Sequence, residues 1–322
     1  MRIIVTGGAG FIGSAVVWRL NELGHDDILV VDRMDETDKW KNLVPLRFAD
    51  YIDADDFFEA LDLFDDARVI FHLGACSSTT ETDSDYLMRN NFQYTKYLAE
   101  FAVENDIRFI YASSAATYGD GSNGMADGTD PLGNLRPLNM YGYSKHLFDQ
   151  HAHRRGLFEK IVGLKYFNVF GPNEDHKDDM RSLVNKAFGQ IKETGKLKLF
   201  KSADPKYADG EFGRDFVYIK DAVDMTLHFA ETNASGLFNI GSGKMHTWNE
   251  LAAAIFAALG EKPNVEFIEM PEHLRDRYQY FTQADLTRLR STGYAKELTE
   301  LGSAVADYVR NYLVPKKHLG DI

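Results

Sequence analysis

Short apolar, largely β-branched runs recur through the first half of the chain, each followed by a stretch in which apolar residues return every three to four positions. The runs fall at residues 3–6, 28–32, 46–50, 69–73, 107–113 and 161–167. Continuous apolar runs of this length predict strands buried on both faces. Between them, residues 11–23 place Ile12, Val16, Leu20 and Leu23 on one helical face. Strands alternating with helices predict an α/β fold with a doubly wound parallel sheet. Past Gly171 the texture changes to helices with short strands, so we expect a first unit over residues 1–170 and a smaller mixed α/β lobe over 171–322. A return to the first unit is expected around 215–245, since residues 237–240 again read as a strand. Two stretches rich in Gly and Asp, 119–133 and 202–213, predict mobile loops.

Composition narrows the function classes. At 322 residues, 44% hydrophobic and 26% charged, the chain is of ordinary globular make-up. A formal charge of −13 argues against general nucleic-acid binding, which needs clustered Lys and Arg. No apolar run approaches the roughly 18 residues of a membrane span, and no signal-peptide pattern opens the chain, so a cytoplasmic location is expected. The single cysteine, Cys76, excludes an internal disulfide and a thiolate metal cage, and no metal site is expected. Any redox step therefore requires a cofactor.

The run IIVTGGAGFIGSAVVWRL supplies that cofactor's cradle. Gly8, Gly10 and Gly13 satisfy G-x-G-x-x-G, and Gly7, Gly10 and Gly13 satisfy G-x-x-G-x-x-G, after an apolar run and opening a helical one. Such a strand, glycine turn and helix start hold a dinucleotide pyrophosphate at the positive helix end, the arrangement of a Rossmann-type unit. Asp32 ends the next strand at the position that bonds an adenosine ribose hydroxyl, which favours NAD. Arg33 and Lys39 suit the 2′-phosphate of NADP. Both cofactors stay open on these residues, with NADP the first expectation. Further along, small residues in LGACSSTTE allow the backbone to pass the cofactor closely.

The fifth apolar run ends in YASSAATYG, and 27 residues after Ser114 comes YGYSK, with Tyr141 and Lys145 at helical i, i+4 spacing. A free phenol titrates near pH 10, so it needs a neighbouring cation to act as a base at neutral pH. Lys145 and an oxidised nicotinamide are both such cations, and Ser114 is placed to orient the reacting hydroxyl.

On these motifs the chain resembles the extended short-chain dehydrogenases/reductases, the group that includes nucleotide-sugar epimerases and dehydratases. Further blocks, KYFNVFGPNEDHK, GRDFVYIKD and RYQYFTQADL, resemble the branch of that group that epimerises C6 of an ADP-linked heptose for the lipopolysaccharide core. The resemblance implies Tyr141 as general acid/base on one face of the sugar and Lys177 on the other, with Lys145 also binding the nicotinamide ribose. It implies cofactor contacts at Gly7, Gly10, Phe11, Ile12, Gly13, Asp32, Arg33, Lys39, Leu73, Gly74, Ala75, Cys76, Ser77, Asn90 and Val169. It implies nucleotide-sugar contacts at Ser78, Ser114, Asn168, Lys177, Lys186, Phe200, Arg214 and Tyr278. A ring-like homo-oligomer, a homopentamer in the family's pattern, is also implied.

Three features depart from that pattern. Ala54 stands where a second lysine for the 2′-phosphate is common, Asp178 and Asp179 follow Lys177 where small residues are typical, and the loop 202–213 is longer. The dehydratases carry an Asp and a Glu after the catalytic strand, whereas Ala115, Ala116 and Thr117 follow Ser114 here. Two other readings share the glycine loop: a UDP-sugar 4-epimerase, and a dinucleotide sensor without catalysis. The histidines 72, 146, 151 and 153 read as core or surface residues, Asp53, Asp55 and Asp56 as a helix start, and Thr247–Trp248 as helix capping and packing.

Overall fold

The structure, a computed structural model, describes residues 2–272 and 279–322. Twelve strands are found among these residues: β1 Ile3–Thr6, β2 Ile28–Asp32, β3 Asp50–Asp53, β4 Val69–His72, β5 Arg108–Ser114, β6 Val162–Tyr166, β7 Asn168–Phe170, β8 Leu197–Phe200, β9 Gly213–Tyr218, β10 Gly236–Ile240, β11 Met245–Thr247 and β12 Val265–Ile268. Seven of them form a parallel sheet in the order β10-β6-β5-β4-β1-β2-β3. The order reverses between β1 and β4, and in such sheets ligands bind outside the carboxyl ends of the strands at that switch point. The apolar runs are explained by burial: β1, β2, β4, β6 and β10 are buried at every position.

Two small sheets, β11-β9-β7 and β12-β8, carry the rest. They lie with helices Leu183–Thr194 and Trp248–Leu259, the latter entered through a capping box in which Thr247 and Glu250 satisfy each other's amides. Residues 236–240 pair with β6 in register Gly236↔Val162 to Ile240↔Tyr166, so late sequence completes the first sheet.

One expectation is corrected. The apolar run at 46–50 is not the third strand, which instead spans Asp50–Asp53 and pairs with β2 from Leu29↔Asp50. Leu43 and Leu46 are buried from a turn, so their hydrophobicity reports packing and not a ladder. Each of the stretches 119–133 and 202–213 has an anchoring side chain: buried Asp127 accepts the amide of Asn239 at 2.8 Å, and Tyr207 stacks on Tyr280 at 5.6 Å.

The histidine beneath the glycine loop gives a pH prediction. His72 is buried between Thr6 Oγ1 (2.7 Å) and Thr95 Oγ1 (2.8 Å), and burial, with the Lys145 charge nearby, holds its pKa down to about 3. Between that value and the unfolded value the unfolded chain binds the extra proton, so stability falls as pH drops below about 6.5. His72 alone accounts for about 2 kcal/mol lost between pH 7 and pH 5. Urea unfolding across this range should show that slope, and His72→Gln should flatten it; an unchanged slope in the variant would remove His72 as its cause.

Candidate active site

The glycine loop follows β1, and its backbone meets the loop after β4. Gly7 has φ +67°, and a Cβ there would lie 2.5 Å from the Gly74 nitrogen. A Cβ on Gly10 would meet only the Gly7 carbonyl, at 3.1 Å. Gly7 is thus demanded by the fold, while a side chain at Gly10 asks only a few tenths of an ångström of give from the Gly7 carbonyl. Helix Phe11–Glu22 begins at Gly10 with no side-chain cap and no acidic residue in its first turn. Its first amides are therefore available to an anion, as a dinucleotide pyrophosphate requires. Gly10→Ala should leave the unfolding midpoint near wild type and sharply lower copurifying dinucleotide, whereas Gly7→Ala should lower both; equal cofactor content in Gly10→Ala and wild type would contradict this division.

On one side of the loop, Gly7, Asp32, Arg33, Lys39, Ala54, Gly74, Ala75 and Asn90 line a small cavity of about 140 Å³. Its charges are already engaged with one another. Asp32 accepts from the Ala9 amide at 2.9 Å, the Arg33 amide at 2.8 Å and Lys39 Nζ at 2.9 Å. Arg33 forks onto Asp55 and donates to Asn90 Oδ1 at 2.7 Å. Asp53 caps helix Ala54–Glu59, so of the acidic run it is Asp55 that reaches this cavity's arginine. Asn90 lies in a π-helical turn, Met88–Gln93. Its neighbour Asn91, not anticipated from sequence, is buried and bonds both backbone groups of Cys76 and the Ser144 hydroxyl. Asn91 thereby ties the loop of Leu73, Gly74, Ala75, Cys76 and Ser77 to the helix bearing Tyr141.

On the other side opens a cleft of about 700 Å³, bordered by Phe11, Ile12, Ser77, Ser114, Tyr141, Asn168, Val169, Lys177, Lys186 and Phe200. Helix Met140–Arg154 brings Tyr141 there. Asn139 caps it by accepting the Gly142 amide at 2.8 Å, and Gly142 lies so close to the turn after β5 that a Cβ would come within 2.8 Å of the Ala116 carbonyl. That approach brings Tyr141 to the cleft beside Ser114, whose side chain acts on the phenol. Burial raises the phenol's pKa, and the Ser114 bond opposes it only in part. The expected lowering by Lys145 is not found in the protein alone: Lys145, buried, donates to the Ala112 carbonyl at 2.8 Å, and burial brings its own pKa down to about 8.

Lys177 reaches the same cleft from 3₁₀ segment Asp175–Met180, its ammonium 5.2 Å from the Phe11 ring centroid. The chain before it is bolted to the glycine loop: Asn42 Nδ2 donates to the carbonyls of Ala9 and Asn173, and Asn173 donates to Ser14 Oγ. Burial lowers the Lys177 pKa, with the Glu174 carboxylate working against it. Buried Glu174 is itself held by the Ser182 hydroxyl at 2.6 Å. The unusual Asp178 adopts φ 46°, ψ −120°, a conformation suited to glycine, which accounts for the small residues typical there.

The remaining expected substrate residues divide. Lys186 is exposed at the rim and donates to the Asp179 carbonyl. Ser78 uses its hydroxyl within its own loop, on Thr80, while Ser77 and Thr79 border the cleft. Arg214 is buried behind the wall, its guanidinium 5.9 Å from the ring centroid of Trp248, which does border the cleft. Trp248 is thus more than helix-entry packing. Tyr278 lies outside the described residues.

Comparison with known proteins agrees with this geometry. The sequence matches the NAD dependent epimerase/dehydratase family over residues 3–241. It is 51% identical over 314 residues to an ADP-L-glycero-D-manno-heptose-6-epimerase of Nitratidesulfovibrio vulgaris, covering 96% of this chain and 97% of that one. It is 49% identical to the enzyme of that name from Fusobacterium nucleatum, covering 97% and 98%. Among solved structures, the ADP-L-glycero-D-manno-heptose-6-epimerase of Helicobacter pylori superposes with a TM-score of 0.80 at 29% identity, covering 96% of this chain and 95% of that one. The chain belongs to the NAD dependent epimerase/dehydratase family.

Proposed function

We propose that this chain epimerises C6 of the heptose in ADP-D-glycero-D-manno-heptose, giving the L-glycero epimer through a transient 6-ketone. One observation carries the reading: Tyr141 and Lys177 come from different elements yet border the same cleft, beside the glycine loop. A bound nicotinamide dinucleotide supplies the hydride acceptor and donor. Ser114 orients the reacting hydroxyl by hydrogen bonding, and Tyr141 holds or takes its proton on one face. Lys145 holds the strand end through Ala112 and is placed to bind the nicotinamide ribose of the bound dinucleotide. Lys177, its ammonium disfavoured by burial, exchanges the proton on the opposite face. An epimerase needs proton transfer on both faces, whereas a dehydrogenase needs it on one.

NADP is the proposed cofactor, with NAD the alternative. Arg33 and Lys39 flank Asp32 in the adenosine pocket, and a 2′-phosphate would have to share them with Asp55 and Asp32, which they already pair. Ala54 in the same wall contributes none. Mass analysis of cofactor extracted from purified protein distinguishes the two.

The substrate assignment is tested by incubation with ADP-D-glycero-D-manno-heptose and, separately, with UDP-galactose. Conversion of the first alone is expected. Conversion of UDP-galactose alone would move the chain to the 4-epimerases, and no conversion of either with cofactor bound would favour the sensor reading.

A further inference from the structure

Behind the cleft, Lys165 of β6 and Asp149 of helix Met140–Arg154 form an ion pair at 2.8 Å with both side chains wholly buried. A buried pair is poor evidence of stabilisation, since desolvation of the two charges offsets their attraction. What it does supply is fixed geometry. Asp149 also accepts from the Tyr111 hydroxyl (2.7 Å) and the Ser113 hydroxyl (2.8 Å) of β5. Lys165 also donates to Thr117 Oγ1 at 2.7 Å, and its ammonium sits 4.9 Å from the Tyr118 ring centroid. The Thr117 hydroxyl in turn donates to the Ser114 carbonyl at 2.8 Å.

Each link ends next to a reacting group. Asp149 lies one helical turn beyond Lys145, Ser113 precedes Ser114, and Thr117 grips Ser114 itself. We propose that Asp149 and Lys165 are positioning residues: Asp149 sets the height of the Tyr141–Lys145 helix along β5, and Lys165 fixes Ser114 through Thr117. The inference rests on Ser114, Tyr141 and Lys145 being the reacting set. The Asp149 carboxylate also favours the ammonium form of Lys145, against its burial; Cys76, after β4, acts in the same direction, and Lys145 in turn lowers the pKa of His72, on β4.

Asp149→Asn keeps the shape and one of the two acceptor oxygens while removing the charge. We expect kcat to fall roughly 10- to 100-fold, as for a small misplacement of reacting groups, with KM within about threefold of wild type. The alkaline limb of the kcat profile should move to lower pH, because Lys145 loses its proton earlier without the carboxylate. A residue that only stabilises the fold would reduce the folded fraction and leave that limb in place. Thr117→Val cuts the Lys165–Ser114 link and leaves the ion pair intact, so it remains informative if the Asp149 variant fails to fold; it should lower kcat about tenfold at an unchanged unfolding midpoint. Lys165→Arg, which retains a cation, should recover most activity. Wild-type kcat in Thr117→Val, or an unshifted alkaline limb in folded Asp149→Asn, would overturn the proposal. Full activity in Tyr141→Phe would instead sink the reacting set on which it rests.

Discussion

Tyr141→Phe is expected to lower turnover by about 10³-fold, the scale of a lost general acid/base, while the protein stays folded and dinucleotide stays bound. The ring keeps its place at the first turn of helix Met140–Arg154, so only the hydroxyl is lost. Burial raises the phenol above its ordinary pKa, which keeps the proton available for donation to a developing alkoxide in the return direction. Steady-state kinetics with cofactor content measured in the same preparation checks this. A variant that turns over at the wild-type rate would remove Tyr141 from the chemistry.

Lys177→Met should fall by a similar factor, about 10³, because methionine keeps the apolar stem against Phe11 and deletes only the amine. The two variants should fail on opposite faces. Each blocks proton transfer at the hydroxyl of one C6 epimer, so neither single variant completes inversion. With its pKa lowered by burial, Lys177 loses its proton below the usual lysine range, and the rate limb that reports the neutral amine should lie there as well. Full activity in Lys177→Met would leave only one base in the cleft and contradict a two-faced site.

Much of this was legible in the sequence because local patterns decide it. Six of the seven main strands announce themselves as apolar runs, and the glycine loop, Ser114, Tyr141 and Lys145 follow from spacing. The third strand was misplaced because Leu43 and Leu46 are buried from a turn, and an apolar run does not say which neighbours bury it. Lys177 could not be read from its polar surroundings; the resemblance alone singled it out. Its burial arises from long-range contacts of Asn42, Asn173 and Ser14 that no local pattern encodes. Asn91, Asp149 and Lys165 escaped for the same reason: polar residues within helical or strand patterns look ordinary until the partners that satisfy them are brought together. Arg33 illustrates the converse, since a residue at a recognisable cofactor position is already committed to Asp55 and Asn90.

The central claim is that the C6 hydrogen is borrowed and returned within one cleft. ADP-D-glycero-D-manno-heptose carrying deuterium at C6, converted in ordinary water and analysed by mass spectrometry and NMR, tests it most directly. The account predicts inverted product with the deuterium still on C6, because the carbon-bound hydrogen is never released to solvent. Inversion with loss of the label to water, or no inversion at all, would contradict it.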